Sequence, residues 1–243
     1  MHENDQPDSR TAPSVFERVV PQNLLDFMNA SIDDARDRWW PRDGRRASPT
    51  AHNFASLLRG LDAFDAAETQ ACQSARRWAS TMLGKECGGE PICMLRCVDV
   101  GSPSQSYLRH FDSHILTLLI PLQLAASGER SGDLIMYRQP RRSVSAMSNV
   151  ITKARLFLEH GMPVIARRAL LMRDLERGLC ERIACTPGNV YAFNGFVTMH
   201  GNLDVASGER RTLIIHYYDP GRTVGLRVIT RTMRAFRDRL ADL

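Results

Sequence analysis

Residues 115–124 read Ile-Leu-Thr-Leu-Leu-Ile-Pro-Leu-Gln-Leu, an almost unbroken apolar run. Such a run suits a strand buried on both faces, and that strand needs a layer packed on each side of it. Other short strand-like stretches surround it, at 92–100, 106–112, 133–137, 182–184, 190–193 and 212–218. Gly101-Ser-Pro-Ser104 and Gly128-Glu-Arg-Ser-Gly132 supply turns between them. The texture is different before residue 91. Apolar residues recur at three-and-four spacing over 15–40 and again over 50–83, as in helices; 41–49 reads as a loop, and the glycines of 84–89 stop the second helical region. A further helical stretch, 149–180, interrupts the strand set and is itself broken at Gly161-Met-Pro163. Helices first, then mainly antiparallel strands with one helical excursion, predict an α+β chain with a sandwich or barrel core. The expected organisation is a disordered tail over 1–14 and one domain over 15–243. Within it, 15–90 gives helical support, 91–220 the strand core, and 221–243 a closing helix.

The 243 residues suit one sizeable core, and 43% hydrophobic with 24% charged residues is ordinary for a water-soluble chain. No apolar run reaches the 18 residues a membrane helix requires. The polar start MHENDQPDSRTAPS lacks the basic and apolar segments of a signal peptide, so the expected compartment is the cytoplasm. The net charge of +5 comes with arginine clusters. Without an interleaved aromatic stripe these read as solvated faces, and no nucleic-acid or membrane partner is expected. The six cysteines include no C-x-x-C pair and read as free thiols.

His110-Phe111-Asp112 places an imidazole and a carboxylate two residues apart. On an extended strand, i and i+2 share a face, so both can reach one point. His200 follows a turn and a strand and supplies a second imidazole. Two histidines and one carboxylate on one side of a metal leave open positions on the other, the arrangement of non-heme Fe(II) oxygenases. Ten residues later come Arg210 and Thr212, which share a strand face. A guanidinium clamps a carboxylate with two prongs, and a hydroxyl adds a third hydrogen bond. Arg211 would point the opposite way.

The pieces HFD (110–112), ILTLLIPLQL (115–124), SGDLIMY (131–137), TPGNVYAFNG (186–195), MHGN (199–202) and GERRTLIIHYYD (208–219) resemble the catalytic core of the 2-oxoglutarate/Fe(II) oxygenase superfamily, in its prolyl-hydroxylase-like branch. The resemblance covers about half the chain. It implies a distorted double-stranded β-helix (jelly roll), flanked by the N-terminal helices and carrying the helical insertion at about 149–180. It also implies Fe(II) on His110, Asp112 and His200, and 2-oxoglutarate held by Arg210 and Thr212. O2 and 2-oxoglutarate would be consumed and succinate and CO2 released. Related halogenases have a small residue at the position of Asp112, so the carboxylate points to hydroxylation or a related oxidation. Many relatives carry a tyrosine about ten residues before the first ligand, a position that is not tyrosine here. Tyr107, Thr117 and Leu119, with Arg96, are the remaining co-substrate candidates. The insertion could cover the site and shape its pocket.

The expected substrate is a small molecule or biosynthetic intermediate, with anionic and carrier-bound molecules among the options. Hydroxylation of a protein side chain and a non-catalytic jelly-roll metal binder are the alternatives. Repair demethylases of the superfamily carry a second arginine six residues after the first; His216 stands there instead. His114 is a further possible ligand in an HxDxH pattern. His216 reads equally well as lining the co-substrate pocket or as a packed core residue. Arg138, Arg141 and Arg142 read by default as a solvated loop.

Overall fold

The structure is a computed structural model. It describes residues 12–39, 45–46, 49–84, 86, 88–100, 106–125, 131–141 and 144–220. Most of the expected tail and the whole of the expected closing helix at 221–243 lie outside the described residues. In chain order the elements are β1 (Ser14–Phe16), α1 (Gln22–Trp39), β2 (Arg45–Arg46), α2 (Pro49–Arg59), α3 (Asp62–Leu83), β3 (Ile92–Asp99), β4 (Leu116–Gln123), β5 (Leu134–Tyr137), α4 (Ala146–His160), α5 (Val164–Glu176), β6 (Cys180–Ile183), β7 (Val190–Phe193), β8 (His200–Asn202) and β9 (Glu209–Tyr217).

The large sheet runs β1-β7-β4-β9-β3-β2 and the small one β6-β5-β8. A bridge between His110 and His200 adds one more rung beside β8. From β3 onward the chain passes between the two sheets: β3 large, the His110 segment small, β4 large, β5 and β6 small, β7 large, β8 small, β9 large. All the strand pairings are antiparallel. This alternation is the double-stranded β-helix, with α4 and α5 inserted between β5 and β6.

Side-chain alternation divides the molecule into layers. On the outer face of the large sheet, Leu116, Leu118, Ile120 and Leu122 of β4 and Leu213, Ile215 and Tyr217 of β9 join Met28, Ile32, Leu58 and Phe64 of the N-terminal helices. The run at 115–124 is therefore buried on both sides, as expected. Between the sheets, Leu119, Tyr191 and Phe193 meet Leu134 and Met136. On the outer face of the small sheet, Ile135 and Tyr137 pack with Tyr107 and Leu171 of α5. The inserted helices thus back the small sheet.

Several expected elements differ. Residues 14–16 form an edge strand paired with 190–192 and belong neither to a tail nor to a helix. The loop at 41–49 contains β2, paired with β3. The helical region at 50–83 is two helices, separated at Gly60-Leu61. The expected strand at 106–112 is reduced to the single rung at His110, because Tyr107 adopts φ 59° and turns the chain out of the extended path.

Candidate metal centre

His110, Asp112 and His200 come from two chain segments held together by backbone pairing. His110 N–H donates to His200 O at 2.8 Å, and His200 N–H donates to His110 O at 3.0 Å. Asp112 N–H donates to Gly195 O at 2.8 Å, fixing the carboxylate beside the turn that leads into β8. The three side chains then offer ligand atoms that all lie within 4.8 Å of one another. His110 Nε2 is 3.6 Å from Asp112 Oδ1, and His200 Nε2 is 3.4 Å from Asp112 Oδ2. Adjacent ligands about 2.1 Å from one ion stand about 3 Å apart, so a small contraction would complete a site. Among the described residues this is the one group of three or more such side chains.

Both imidazoles are set in the same tautomer. His200 Nδ1 lies 3.0 Å from Thr198 O and His110 Nδ1 3.4 Å from Leu108 O. A carbonyl only accepts, so Nδ1 carries a proton in both rings, and Nε2, beside Asp112, is the nitrogen that a metal would take once it is deprotonated. His200 and Asp112 are buried, whereas the His110 side chain is 37% exposed, so the centre opens to solvent on the His110 side.

A second line of contacts holds the carboxylate. Thr117 Oγ1 donates to Asp112 Oδ2 at 2.5 Å and lies 3.0 Å from His216 Nδ1. The hydroxyl gives its one proton to Asp112, so it accepts from His216 Nδ1–H. His114 stacks on His216, with ring centroids 5.3 Å apart, and does not join the three ligands. Burial pushes His216 below the usual imidazole range, despite the opposing pull of Asp112, and favours its neutral form. Sequence reasoning left His216 undecided and gave Thr117 to the co-substrate. The structure puts both behind Asp112.

The electrostatics of the metal-free centre follow from its packing. Burial would raise the Asp112 carboxyl, but the histidines, His200 foremost, hold it well below the usual carboxylate range. Burial would lower His200, but Asp112 more than offsets this and raises it. A metal must displace that proton. The apparent affinity for a divalent ion is therefore expected to fall as pH drops through the raised His200 titration. Titrations with Ni(II) across pH 5.5–8.5 check this; a flat profile would contradict it.

Arg210 and Thr212 stand on the same inner face of β9 as His216. Thr212 is buried opposite Arg96 and Pro121. Arg210 is also buried. It donates to Gly132 O, and its Nε has no hydrogen-bond partner. Burial lowers its guanidinium below the usual arginine range, and no carboxylate pairs with it among the described residues. Arg211 points the other way, to Asn29, Asp33 and Glu209. Leu119 lies between the sheets, in the apolar layer with Tyr191 and Phe193. Tyr107 packs on the outer face of the small sheet against Leu171 of the insertion. Arg96, named by sequence reasoning only as a candidate, donates to Asn202 at 3.1 Å and bears on the charge of His200.

The residue before His110 is gripped from behind. Arg109 donates to Glu159 at 2.7 Å, to Asp174 at 2.7 Å and to Tyr137 Oη at 3.0 Å, and its carbonyl lies 2.9 Å from His160 Nε2. Glu159 and His160 end α4 and Asp174 lies in α5, so both inserted helices are tied to the backbone that carries His110.

No protein-family model matches the sequence, and no curated protein matches it. Solved structures do resemble it. A Pseudomonas putida prolyl-4-hydroxylase is 12% identical, with a TM-score of 0.46, over 85% of this chain and 92% of that one. EvdO2 from Micromonospora carbonacea var. aurantiaca is 14% identical, with a TM-score of 0.47, over 90% and 92%. SnoK, a non-heme α-ketoglutarate-dependent carbocyclase from nogalamycin biosynthesis, is 11% identical, with a TM-score of 0.49, over 88% and 85%. Among the described residues no helix is long and apolar enough to cross a membrane.

Proposed function

We propose that this protein is an Fe(II)- and 2-oxoglutarate-dependent oxygenase that oxidises a small molecule, with succinate and CO2 as co-products. The observation that carries the reading is the pairing of two features on one inner surface. Two imidazoles and a carboxylate converge at one end. Further along β9 a buried guanidinium forms no ion pair among the described residues; Asp133 acts on it only through space, and its Nε makes no hydrogen bond. The residues present fit both groups. Two nitrogens and one oxygen on one side of a metal suit non-heme Fe(II) with positions left open. An unpaired buried guanidinium is costly unless an anion meets it, and a dicarboxylate would.

In this reading His110, Asp112 and His200 hold the metal, and Arg210 with Thr212 holds the distal carboxylate of 2-oxoglutarate. Bound Fe(II) would supply dioxygen activation coupled to decarboxylation of the 2-oxo acid. The chain's own part is to fix the parts and exclude water. Thr117 and His216 keep Asp112 oriented and ionised. Leu119, Leu134, Met136, Tyr191 and Phe193 form a dry wall between the sheets.

The test is direct. Anaerobic protein with Fe(II) should develop the visible charge-transfer band of a chelated 2-oxo acid when 2-oxoglutarate is added. In Arg210→Met the dissociation constant for 2-oxoglutarate should rise by about 10- to 100-fold, the worth of a lost charged hydrogen bond. Metal binding should be unchanged. A metal-loaded protein that gives no band would defeat the co-substrate assignment.

A further inference from the structure

A second guanidinium that forms no ion pair among the described residues stands beside the centre. Arg141 follows β5 and crosses the turn that leads into β8, where its N–H donates to Val197 O at 2.9 Å. Its guanidinium carbon stands over the Phe111 ring, 3.8 Å from the centroid, and 5.4 Å from the Phe196 centroid. Phe111 is the residue between the ligands His110 and Asp112. Phe196 adjoins Gly195, whose carbonyl holds Asp112. Arg141 donates to Asn149 Oδ1 at 3.0 Å and to Phe196 O. Among the described residues no carboxylate pairs with it, and its buried Nε makes no hydrogen bond. Burial alone brings its guanidinium down to about 10. A cation–π stack offsets only part of the cost of removing such a group from water.

This side chain lines a cleft of about 840 Å3 together with Arg138, Phe193, Asn194 and Thr198. That volume falls in the range of small-molecule sites. The wall adjoins one of the three metal-site residues, His200. Phe193 meets the His200 ring edge-on at 4.9 Å, and Thr198 O holds His200 Nδ1. Asn194 Oδ1, which only accepts, is buried without a hydrogen-bond partner among the described residues, and it suits a donor on the ligand's body and not the anion itself. The far wall is largely apolar, with Phe16, Trp78 and Met82.

We infer that this cleft binds an anionic group, a carboxylate or a phosphate, carried on a mainly apolar body, and that Arg141 is its anchor. Arg138 is already engaged by Glu181 at 3.5 Å, which leaves Arg141 as the cation without an acid. The further step, that the anion belongs to the molecule being oxidised, rests on the oxygenase reading. It would make the substrate acidic and would hold its charged end against the turn that positions His200 and Asp112.

The test uses metal-free full-length protein and ligand-observed NMR, so it does not depend on turnover. The probes are 4-phenylbutyrate, phenyl phosphate and the neutral 4-phenylbutyramide. Either anion should bind and the amide should not, and the preferred anion separates carboxylate from phosphate. Arg141→Met should lose about 10- to 100-fold in affinity for the anion, as expected for a charged hydrogen bond. Arg141→Lys should retain part of the affinity, which guards against a folding defect in the methionine variant. Arg168→Met, on the exposed side of α5, should bind as wild type. Equal or absent binding of anion and amide would overturn the inference, and so would loss in Arg210→Met in place of Arg141→Met. If 2-oxoglutarate fails to bind the metal-loaded protein while this anion site persists, the oxygenase reading falls and the site stands.

Discussion

Gly195→Ala is expected to weaken divalent-metal binding by about 100-fold or more, at the upper end of what disturbing a ligand's support costs. A methyl group there would lie 2.8 Å from Asp112 Cγ and 2.8 Å from Thr117 Oγ1. Non-bonded carbons prefer about 3.5–4.0 Å. The backbone cannot retreat, because Gly195 O accepts the Asp112 amide. Asp112 must therefore swing away from the two imidazoles or give up the Thr117 hydroxyl. Calorimetric titration with Ni(II), beside a far-ultraviolet circular dichroism spectrum, separates a lost site from a lost fold. Unchanged affinity would mean that the carboxylate can move aside and still reach the metal.

Asp112→Ala should remove metal binding altogether, and it should also change how the apoprotein responds to pH. Breaking a buried charged pair costs about 3–5 kcal/mol. The pH window follows from two opposite shifts. His200 is raised, so its stabilisation is complete below the unfolded imidazole value, about 6.5, and fades as pH rises through its folded value. Asp112 is depressed, so its stabilisation is complete above the unfolded carboxyl value, about 3.9, and fades only at lower pH. The deficit of the variant should therefore be greatest between about pH 4 and 6.5 and shrink toward alkaline pH. Urea denaturation of both proteins at pH 5.5 and 8.5 measures this. A deficit that grows with pH would show that the pair is not ionised in the folded chain.

The ligand set was legible because its chemistry and its spacing coincide. His110 and Asp112 sit two apart beside the rung at His110, and Arg210 and Thr212 sit two apart on a long strand, so strand alternation read from the sequence predicts a common face for each pair. The same rule separated Arg210 from Arg211, which the structure turns toward α1. Where alternation fails, so did the reading. Tyr107 lies at φ 59°, and the strand expected over 106–112 shrinks to the rung at His110. Strands of two or three residues, such as 14–16 and 45–46, are too short to show a period. The support of Asp112 by Thr117 and His216 joins positions 99 residues apart, and nothing local announces it. Arg141 looked like a solvated loop arginine because sequence carries no direct record of burial. Its environment comes from Phe111 and Phe196, which meet only in the folded chain.

The grip on Arg109 bears on how such a chain could be re-engineered. The inserted helices look like an exchangeable module, held between two strand ends. Yet Glu159 and Asp174 neutralise an arginine that belongs to the core, one residue from a ligand. A graft that replaces 146–176 without supplying two acids at those points would strand that cation and loosen the first ligand. Module and host are therefore transferable only as a pair, and exchange of Arg109 for a neutral residue should accompany any foreign insert.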